Sequence, residues 1–136
     1  MKVIKTEKMP QVKGHYSPVI EHNGILYLSG QIPTDPVTGL VPETIEEQTK
    51  VVLSKINLLL CESGSRLNQV LQVRIYLSDI ELWDKVNKVY AEFFKEHKPA
   101  RCVVPAGKLH YGSLLEVEAV AFVNKPGYPN PFKIHK

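Results

Sequence analysis

The sequence lacks the marks of a membrane or exported protein. Its longest apolar runs are far shorter than the roughly 20 residues that a membrane-spanning helix needs. Residues 1–8 include three lysines and a glutamate, and they have no apolar core of the kind found in a secretory signal peptide. We therefore expect a soluble, cytoplasmic protein with no membrane partner.

Metal ligands are sparse and scattered. The two cysteines, Cys61 and Cys102, have no CxxC spacing, so neither a disulfide framework nor a zinc site is indicated. The five histidines lack the close pairing that is typical of metal sites. We therefore expect an activity that needs no metal.

The common catalytic signatures are missing as well. There is no GxGxxG, P-loop, GxSxG or HExxH motif. The net charge of +3 is mild and no block of like charge stands out, so charge does not argue for nucleic-acid binding. Any chemistry must rest on isolated polar groups that the fold places together.

The first half of the chain predicts a hairpin and a helix. The length of 136 residues and the apolar share of 43% suit one compact domain. Asn23-Gly24 is a strong turn dipeptide between two short strands. A helix is predicted over about 45–63, with Thr44 and Glu47 as a capping box and Gly64 as the stop.

The second half predicts strand, helix and two more strands. The segment 70–77 is β-branched and strand-like. A second helix, capped by Asp79 and ended by Pro99, precedes strands over roughly 101–104 and 114–123. The order favours an α+β domain with two helices on one face of a sheet.

Arg101 is the first candidate for chemistry. It opens a predicted strand directly after a Pro-Ala step, next to apolar Val103 and Val104. A guanidinium there could hold a carboxylate through two parallel hydrogen bonds. An exposed arginine or a structural ion pair explains the pattern too, and taken alone the pattern favours that interpretation, because most arginines are exposed.

Glu116 and Glu118 share one face of the last strand, because side chains alternate along a strand. The surrounding residues are apolar, so one of these carboxylates could be partly buried and could accept a proton or orient a water. A polar face of an edge strand, or a salt bridge between subunits, is an equally good explanation of the pattern.

Other polar groups carry weaker signals. Tyr16, Ser29 and Gly30 offer hydroxyls and a flexible backbone, although ordinary turn chemistry explains them as well. Asn87 alone predicts a helix-surface amide. Helical spacing favours a core position for the aromatic residues Trp83, Phe93 and Phe94, and a lone strand cysteine such as Cys102 is more often inert packing.

Together these segments resemble the RidA (YjgF) family of reactive-intermediate deaminases. The resemblance extends over about residues 3–123 and predicts a deaminase domain over 1–124 followed by an irregular tail over 125–136. Several blocks in the same order carry it: Val3-Ile4-Lys5-Thr6-Glu7, Tyr16-Ser17-Pro18, Ser29-Gly30-Gln31-Ile32-Pro33, Asp35-Pro36 with Thr38-Gly39, Glu46-Glu47-Gln48-Thr49, Val86-Asn87 with Tyr90 and Phe93-Phe94, Pro99-Ala100-Arg101, and Glu116-Val117-Glu118-Ala119.

The resemblance implies a chorismate-mutase-like α+β fold, assembled as a trimeric barrel with ligand clefts between subunits. It implies hydrolysis of 2-iminobutanoate, 2-iminopropanoate and related products of pyridoxal-phosphate enzymes to 2-oxo acids and ammonia, without a cofactor. The family's carboxylate-binding arginine falls on Arg101 and its water-orienting glutamate on Glu116.

The resemblance also assigns the substrate-binding groups. The cleft tyrosine falls on Tyr16, the Ser-Gly loop on Ser29 and Gly30, and the helix asparagine near the cleft on Asn87. The main chain near this loop or near Val103 is expected to bind the imine nitrogen.

The chain departs from the family pattern at three places. Some members have a cysteine where this chain has Val103, while Cys102 should face the other way, so no thiol role is expected. The usual Gly-Pro-Tyr is Gly14-His15-Tyr16, and the segment often reading Leu-Pro-Lys-Gly is Leu109-His110-Tyr111-Gly112. We expect these positions to influence the shape of the cleft.

Two other functions stay open at this stage. The same arginine could bind 2-oxo acids in a regulatory protein without turnover. A ribonuclease or translation inhibitor, as some members are described, has little support because the sequence has no basic stripe, no paired catalytic histidines and no RNA-binding motif.

Overall fold

A computed structural model of the chain describes residues 1–124. The predicted tail, residues 125–136, lies outside the described residues. Between residues 1 and 124 the chain forms six strands and two α-helices, which are β1 Lys2–Ile4, β2 Val19–His22, β3 Ile25–Gln31, α1 Ile45–Glu62, β4 Val70–Leu77, α2 Trp83–Phe94, β5 Ala100–Pro105 and β6 Leu115–Phe122.

The six strands form one mixed sheet in the order β1-β2-β3-β6-β4-β5. Only the pair β4–β5 is parallel within this sheet, and the other neighbours are antiparallel. Helices α1 and α2 contact each other, and both contribute to one core cluster with the sheet. This architecture confirms the predicted single α+β domain with two helices on one face.

The two faces of the sheet differ in burial. Along β6, Leu115 and Val117 are buried beneath the helices, while Glu116 and Glu118 point the other way and stay partly accessible. Because paired strands keep their side-chain alternation in phase, the whole sheet has a helix face and an opposite face, which we call the open face.

Local sequence signals account for the turns and for α1. Asn23 and Gly24 both have positive φ values, 52° and 81°, as the predicted two-residue hairpin requires. The hydroxyl of Thr44 accepts a hydrogen bond of 3.2 Å from the backbone N–H of Glu47, and Gly64 follows the helix with φ 79°. Neither helix is long and apolar enough to cross a membrane.

The end of α2 corrects one prediction. The helix stops at Phe94, well before Pro99, because Lys95 adopts φ 56° and ψ −120° and leaves the helical conformation. Asp79 caps a short 3₁₀ helix, Ile80–Leu82, that leads into α2 rather than α2 itself. The predicted stop at Pro99 was therefore wrong, and the cap of the second helix belongs to a preceding turn.

Strand β1 was not predicted from the sequence. Its three residues pair with β2 alone at the edge of the sheet. Three residues are too few for an alternating pattern to be recognised, so the sequence carried no usable signal for this strand.

Candidate functional site

Gly30 lies directly against the carboxylate of Glu116. The pairing of β3 with β6 shifts register between Leu28 and Gln31, so Ser29 and Gly30 form a bulge beside β6. A Cβ placed on Gly30 would lie 2.5 Å from Oε2 of Glu116. The missing side chain at position 30 therefore provides the room in which this carboxylate sits.

Short hydrogen bonds fix the segment around this bulge. The Ser29 hydroxyl donates to the backbone oxygen of Ser17 over 2.6 Å, and the Ser29 N–H donates to that of Pro18 over 3.0 Å. These bonds bring Tyr16 to the same region, where the residue is 55% exposed. One open groove is lined by Tyr16, Ser29, Gly30, Tyr111 and Glu116 together with His110.

The surroundings of Glu116 favour its protonated form. Burial raises the pKa of the Glu116 carboxyl group, and the neighbouring charge of Glu118 raises it further, while His110 acts in the opposite direction. Glu118 lies on the same open face, accepts a hydrogen bond from the Tyr76 hydroxyl, and has an oxygen 3.9 Å from Nη1 of Arg74. Glu116 thus holds a proton up to a higher pH than an ordinary glutamate.

Arg101 lies on the helix face at the edge of the sheet. It is paired in register with Val73, whose side chain is buried beneath the helices. Its Nη1 donates a hydrogen bond of 3.0 Å to Oδ1 of Asn87 on α2. Its Cζ lies 4.7 Å from the ring centroid of Tyr90 and 5.5 Å from that of Trp83.

These contacts change the interpretation of two helix residues. Trp83 is 37% exposed, so the predicted core position was wrong, because the start of α2 lies beside the edge strand β5. Phe94 is buried and Phe93 packs partly buried against the core, as predicted. Asn87 is not a free surface amide, since it holds the guanidinium of Arg101.

Val103 and Cys102 point in opposite directions. Val103 follows Arg101 on the helix face and packs against the core, while the free Cys102 is exposed. The expected orientation of the two side chains is confirmed, and the cysteine is separated from the side chain of Arg101 by the sheet.

One chain therefore carries two separate groups of candidate residues. Tyr16, Ser29, Gly30 and Glu116 meet in the groove, whereas Arg101 contacts Asn87 on the other face of the sheet. Strand β4 lies between β5 and β6. The two groups are not brought together within one subunit.

Two buried polar residues of α1 were not singled out in the sequence analysis. Lys55 donates to the backbone oxygen of Ile32 over 2.8 Å and to the Thr34 hydroxyl over 3.0 Å. Burial lowers the pKa of Lys55, and the charge of nearby Asp35 opposes this shift. The loop that follows the bulge is thus tied to α1.

Gln48 makes a similar connection at the start of the same helix. Its Nε2 donates to the backbone oxygen of Pro42 over 2.7 Å, and its Oε1 accepts from the N–H of Leu114 over 2.9 Å. Gln48 and Lys55 lie on the same helical stripe as Val52 and Leu59. Two polar residues within an apolar stripe were therefore the sequence signal that could have indicated their burial.

The fold and these two groups of residues define a class of small α+β proteins with candidate ligand contacts on both faces of one sheet. Residues 6–123 match the family described as Endoribonuclease L-PSP. The chain belongs to this family, which is the RidA/YjgF family that the sequence resemblance predicted.

Individual relatives support this assignment over nearly the whole chain. A RutC family protein of Pyrococcus abyssi is 45% identical over 121 residues, covering 88% of this chain and 95% of that protein. The structure of YyfA of the Rid protein family from Yersinia pestis is 40% identical, with a TM-score of 0.86 over 90% of this chain and 98% of that one. The structure of Escherichia coli TdcF with bound serine is 28% identical, with a TM-score of 0.86 over 91% of this chain and 100% of that one.

Proposed function

We propose that the chain hydrolyses small, reactive 2-imino acids to 2-oxo acids and ammonia. The observation that carries the proposal is the carboxyl group of Glu116, which has a raised pKa and lies in an open groove against Gly30. A carboxyl group of this kind can accept a proton from water and return it. Arg101 supplies the second requirement, a guanidinium that suits a carboxylate.

The reaction needs few groups because imines hydrolyse in water without a catalyst. Arg101 binds the substrate carboxylate, which fixes the imine carbon beside a water molecule. The water oxygen bonds to that carbon while Glu116 accepts one of its protons and returns it to the nitrogen. The C–N bond then breaks with its electron pair on nitrogen, the hydroxyl proton follows, and the products are a 2-oxo acid and ammonia.

We propose that Arg101 of one subunit and Glu116 of a neighbouring subunit meet in a cleft of a homotrimer. The two residues lie on opposite faces of the sheet, so a second subunit is the simplest way to combine them on one small substrate. A laterally paired row on the open face, Val3-Ile20-Tyr27-Val120, offers an apolar surface for such an assembly.

A trapping assay tests the activity. Threonine dehydratase acting on threonine releases the imine, and semicarbazide competes for it. The wild-type protein should accelerate the release of 2-oxobutanoate in this competition. Arg101→Ala and Glu116→Gln should abolish the acceleration, while Arg66→Ala, at an exposed arginine away from both groups, should keep it. No acceleration by the wild-type protein contradicts the proposal.

A binding function without turnover is the second candidate. It is supported by the guanidinium of Arg101 and by the bound serine in the related TdcF structure. Saturable binding of 2-oxobutanoate that depends on Arg101, together with no acceleration of imine loss, would favour this function over catalysis.

The family description also raises ribonuclease activity. RNA cleavage that Glu116→Gln abolishes would support that activity at the same groove. Cleavage that survives both Glu116→Gln and Arg101→Ala would indicate another site or a contaminant.

A further inference from the structure

One stripe of α2 contacts the guanidinium of Arg101 through three residues. Trp83, Asn87 and Tyr90 are spaced i, i+4 and i+7, so they lie on the same side of the helix on successive turns. The Trp83 and Tyr90 rings lie 5.5 Å and 4.7 Å from Cζ, and Asn87 accepts a hydrogen bond of 3.0 Å from Nη1. We call these three residues the guanidinium cradle.

The guanidinium carbon of Arg101 lies over both aromatic rings. The centroid distances are within the range of cation–π attraction, which is electrostatic and acts above the ring plane. Tyr90 is 7% exposed, and its hydroxyl has no hydrogen-bond partner in residues 1–124. Burial raises the pKa of this hydroxyl to about 12, so it remains neutral, and what Arg101 meets is the ring.

Asn87 forms a hydrogen bond with one nitrogen of the Arg101 guanidinium and leaves the other nitrogens available. Its Oδ1 accepts from Nη1 of Arg101, and the remaining N–H groups of Arg101 have no partner within the described part of the chain. A carboxylate pairs with a guanidinium along an edge, through two parallel N–H bonds. Nε and Nη2 of Arg101 have no hydrogen-bond partner in residues 1–124, so the guanidinium edge that they form is left for a ligand.

We propose that Trp83 and Tyr90 are positioning residues that hold the guanidinium of Arg101 against their rings and present its free edge to the substrate carboxylate. This inference rests on the proposed function of Arg101. It assigns an indirect role to two aromatic side chains, and it gives Asn87 the role of orienting Arg101 rather than binding substrate.

Binding measurements on paired variants test the cradle. Trp83→Leu and Tyr90→Leu remove a π-face and keep an apolar side chain, whereas Trp83→Phe and Tyr90→Phe keep a ring. Calorimetric titration with 2-oxobutanoate should show affinity about three- to tenfold weaker for each leucine variant, which is the size expected for loss of one cation–π contact. The phenylalanine variants should stay within about twofold of the wild type.

Kinetics and spectroscopy separate positioning from a merely structural role. In the imine assay the leucine variants should show a higher KM and a nearly unchanged kcat. The lost contact is expected to stabilise the bound substrate and the transition state equally. The Nε–H NMR signal of Arg101, assigned with Arg101→Lys, should move in Trp83→Leu because a neighbouring aromatic ring is gone. Trp83 is partly exposed, so this variant should keep its melting temperature even if Tyr90→Leu unfolds.

The outcomes distinguish this inference from the proposed function. If Trp83→Leu folds and binds 2-oxobutanoate like the wild type, while Arg101→Ala does not bind, the cradle is rejected and the function of Arg101 stands. If Arg101→Ala binds and turns over substrate normally, the proposed function itself fails, whatever the aromatic variants do.

Discussion

Arg101 and Glu116 lie on opposite faces of one sheet, in β5 and β6, with β4 between them. Neighbouring strands are spaced about 4.8 Å apart, so β5 and β6 lie roughly 10 Å apart. The register also places Arg101 level with Ala119, three residues along β6 from Glu116. A substrate with three or four carbons cannot touch both side chains of the same chain. A shared site therefore requires two chains.

Mixed assemblies should regain activity from two inactive variants. Arg101→Ala and Glu116→Gln are each expected to be inactive alone. Co-expressed in equal amounts, they should restore about a quarter of wild-type activity, since that fraction of clefts in a ring of identical interfaces pairs an intact arginine with an intact glutamate. The imine-trapping assay on purified mixed assemblies measures this.

The control for complementation is a mixture of either variant with the double variant Arg101→Ala/Glu116→Gln. No cleft in such a mixture has both residues, so activity should stay at the background. If the two single variants remain inactive together although mixed assemblies form, Arg101 and Glu116 do not share a cleft between subunits.

Gly30→Ala should reduce activity more than stability. The new Cβ would lie 2.5 Å from Oε2 of Glu116, and the carboxylate, at the end of a flexible side chain, must move away. We expect kcat/KM to fall at least about tenfold, a loss of 1.4 kcal/mol in transition-state stabilisation, with a change in unfolding free energy below about 1 kcal/mol.

Gly64→Ala is the matched control for Gly30→Ala. Gly64 has φ 79° and no heavy atom within 4 Å of an added Cβ, so alanine there costs backbone strain of about 1–2 kcal/mol without touching the groove. Denaturant unfolding and the imine assay should show the opposite pattern, with lower stability and unchanged activity. Unchanged activity in Gly30→Ala would contradict the role given to the bulge.

The acid side of the pH profile should respond to Glu118. In the proposed mechanism Glu116 acts as a base and must be deprotonated, so activity should fall as the pH drops through its pKa. Glu118→Gln removes a negative charge that raises this pKa, so the acid limb of kcat/KM should move to lower pH. His110→Asn removes a charge that lowers the pKa of Glu116, so the acid limb of kcat/KM should move to higher pH.

A matched measurement on Glu92→Gln, an exposed acid on α2, should leave the profile in place. Shifts of the same sign in Glu118→Gln and His110→Asn would show that the charges around Glu116 do not act as described. The profile should be measured at fixed ionic strength, because salt screens the interaction of exposed charges.

Local signals in the sequence predicted most of the fold. The hairpin at Asn23-Gly24 and the cap at Thr44 depend on neighbours within three residues, so both were confirmed. The stop of α2 depends on an unusual backbone conformation at Lys95, a residue type without a preference for it, and was therefore placed too late at Pro99. Contacts at the edge of the sheet made Trp83 a partner of Arg101 instead of a core residue.

The candidate site was harder to predict from the sequence than the fold. The two-residue period of a strand predicts that Glu116 and Glu118 share one face. Only the fold shows that the bulge at Gly30 makes room for the carboxylate of Glu116. Arg101 became a strong candidate through the family resemblance, since a strand-end arginine alone is ambiguous. Its separation from Glu116 by the sheet follows from strand pairing between distant segments, which no local pattern encodes.

A charge in the middle of the open face should dissociate the assembly. The exposed side chain of Tyr27 belongs to the row Val3-Ile20-Tyr27-Val120, which crosses four strands. Tyr27→Glu would bury a carboxylate in the proposed interface, and a buried, unpaired charge is strongly unfavourable. Sedimentation should then report a mass near 15.4 kDa instead of about three times that value.

The same substitution should abolish activity without touching either group of candidate residues, because each proposed cleft needs two subunits. Val37→Glu is the control, since Val37 is 92% exposed on a loop outside the sheet, and it should change neither mass nor activity. A fully active Tyr27→Glu monomer would separate activity from assembly, and it would require Arg101 and Glu116 to act without a second chain. An unchanged trimer with normal activity would instead place the interface on another surface.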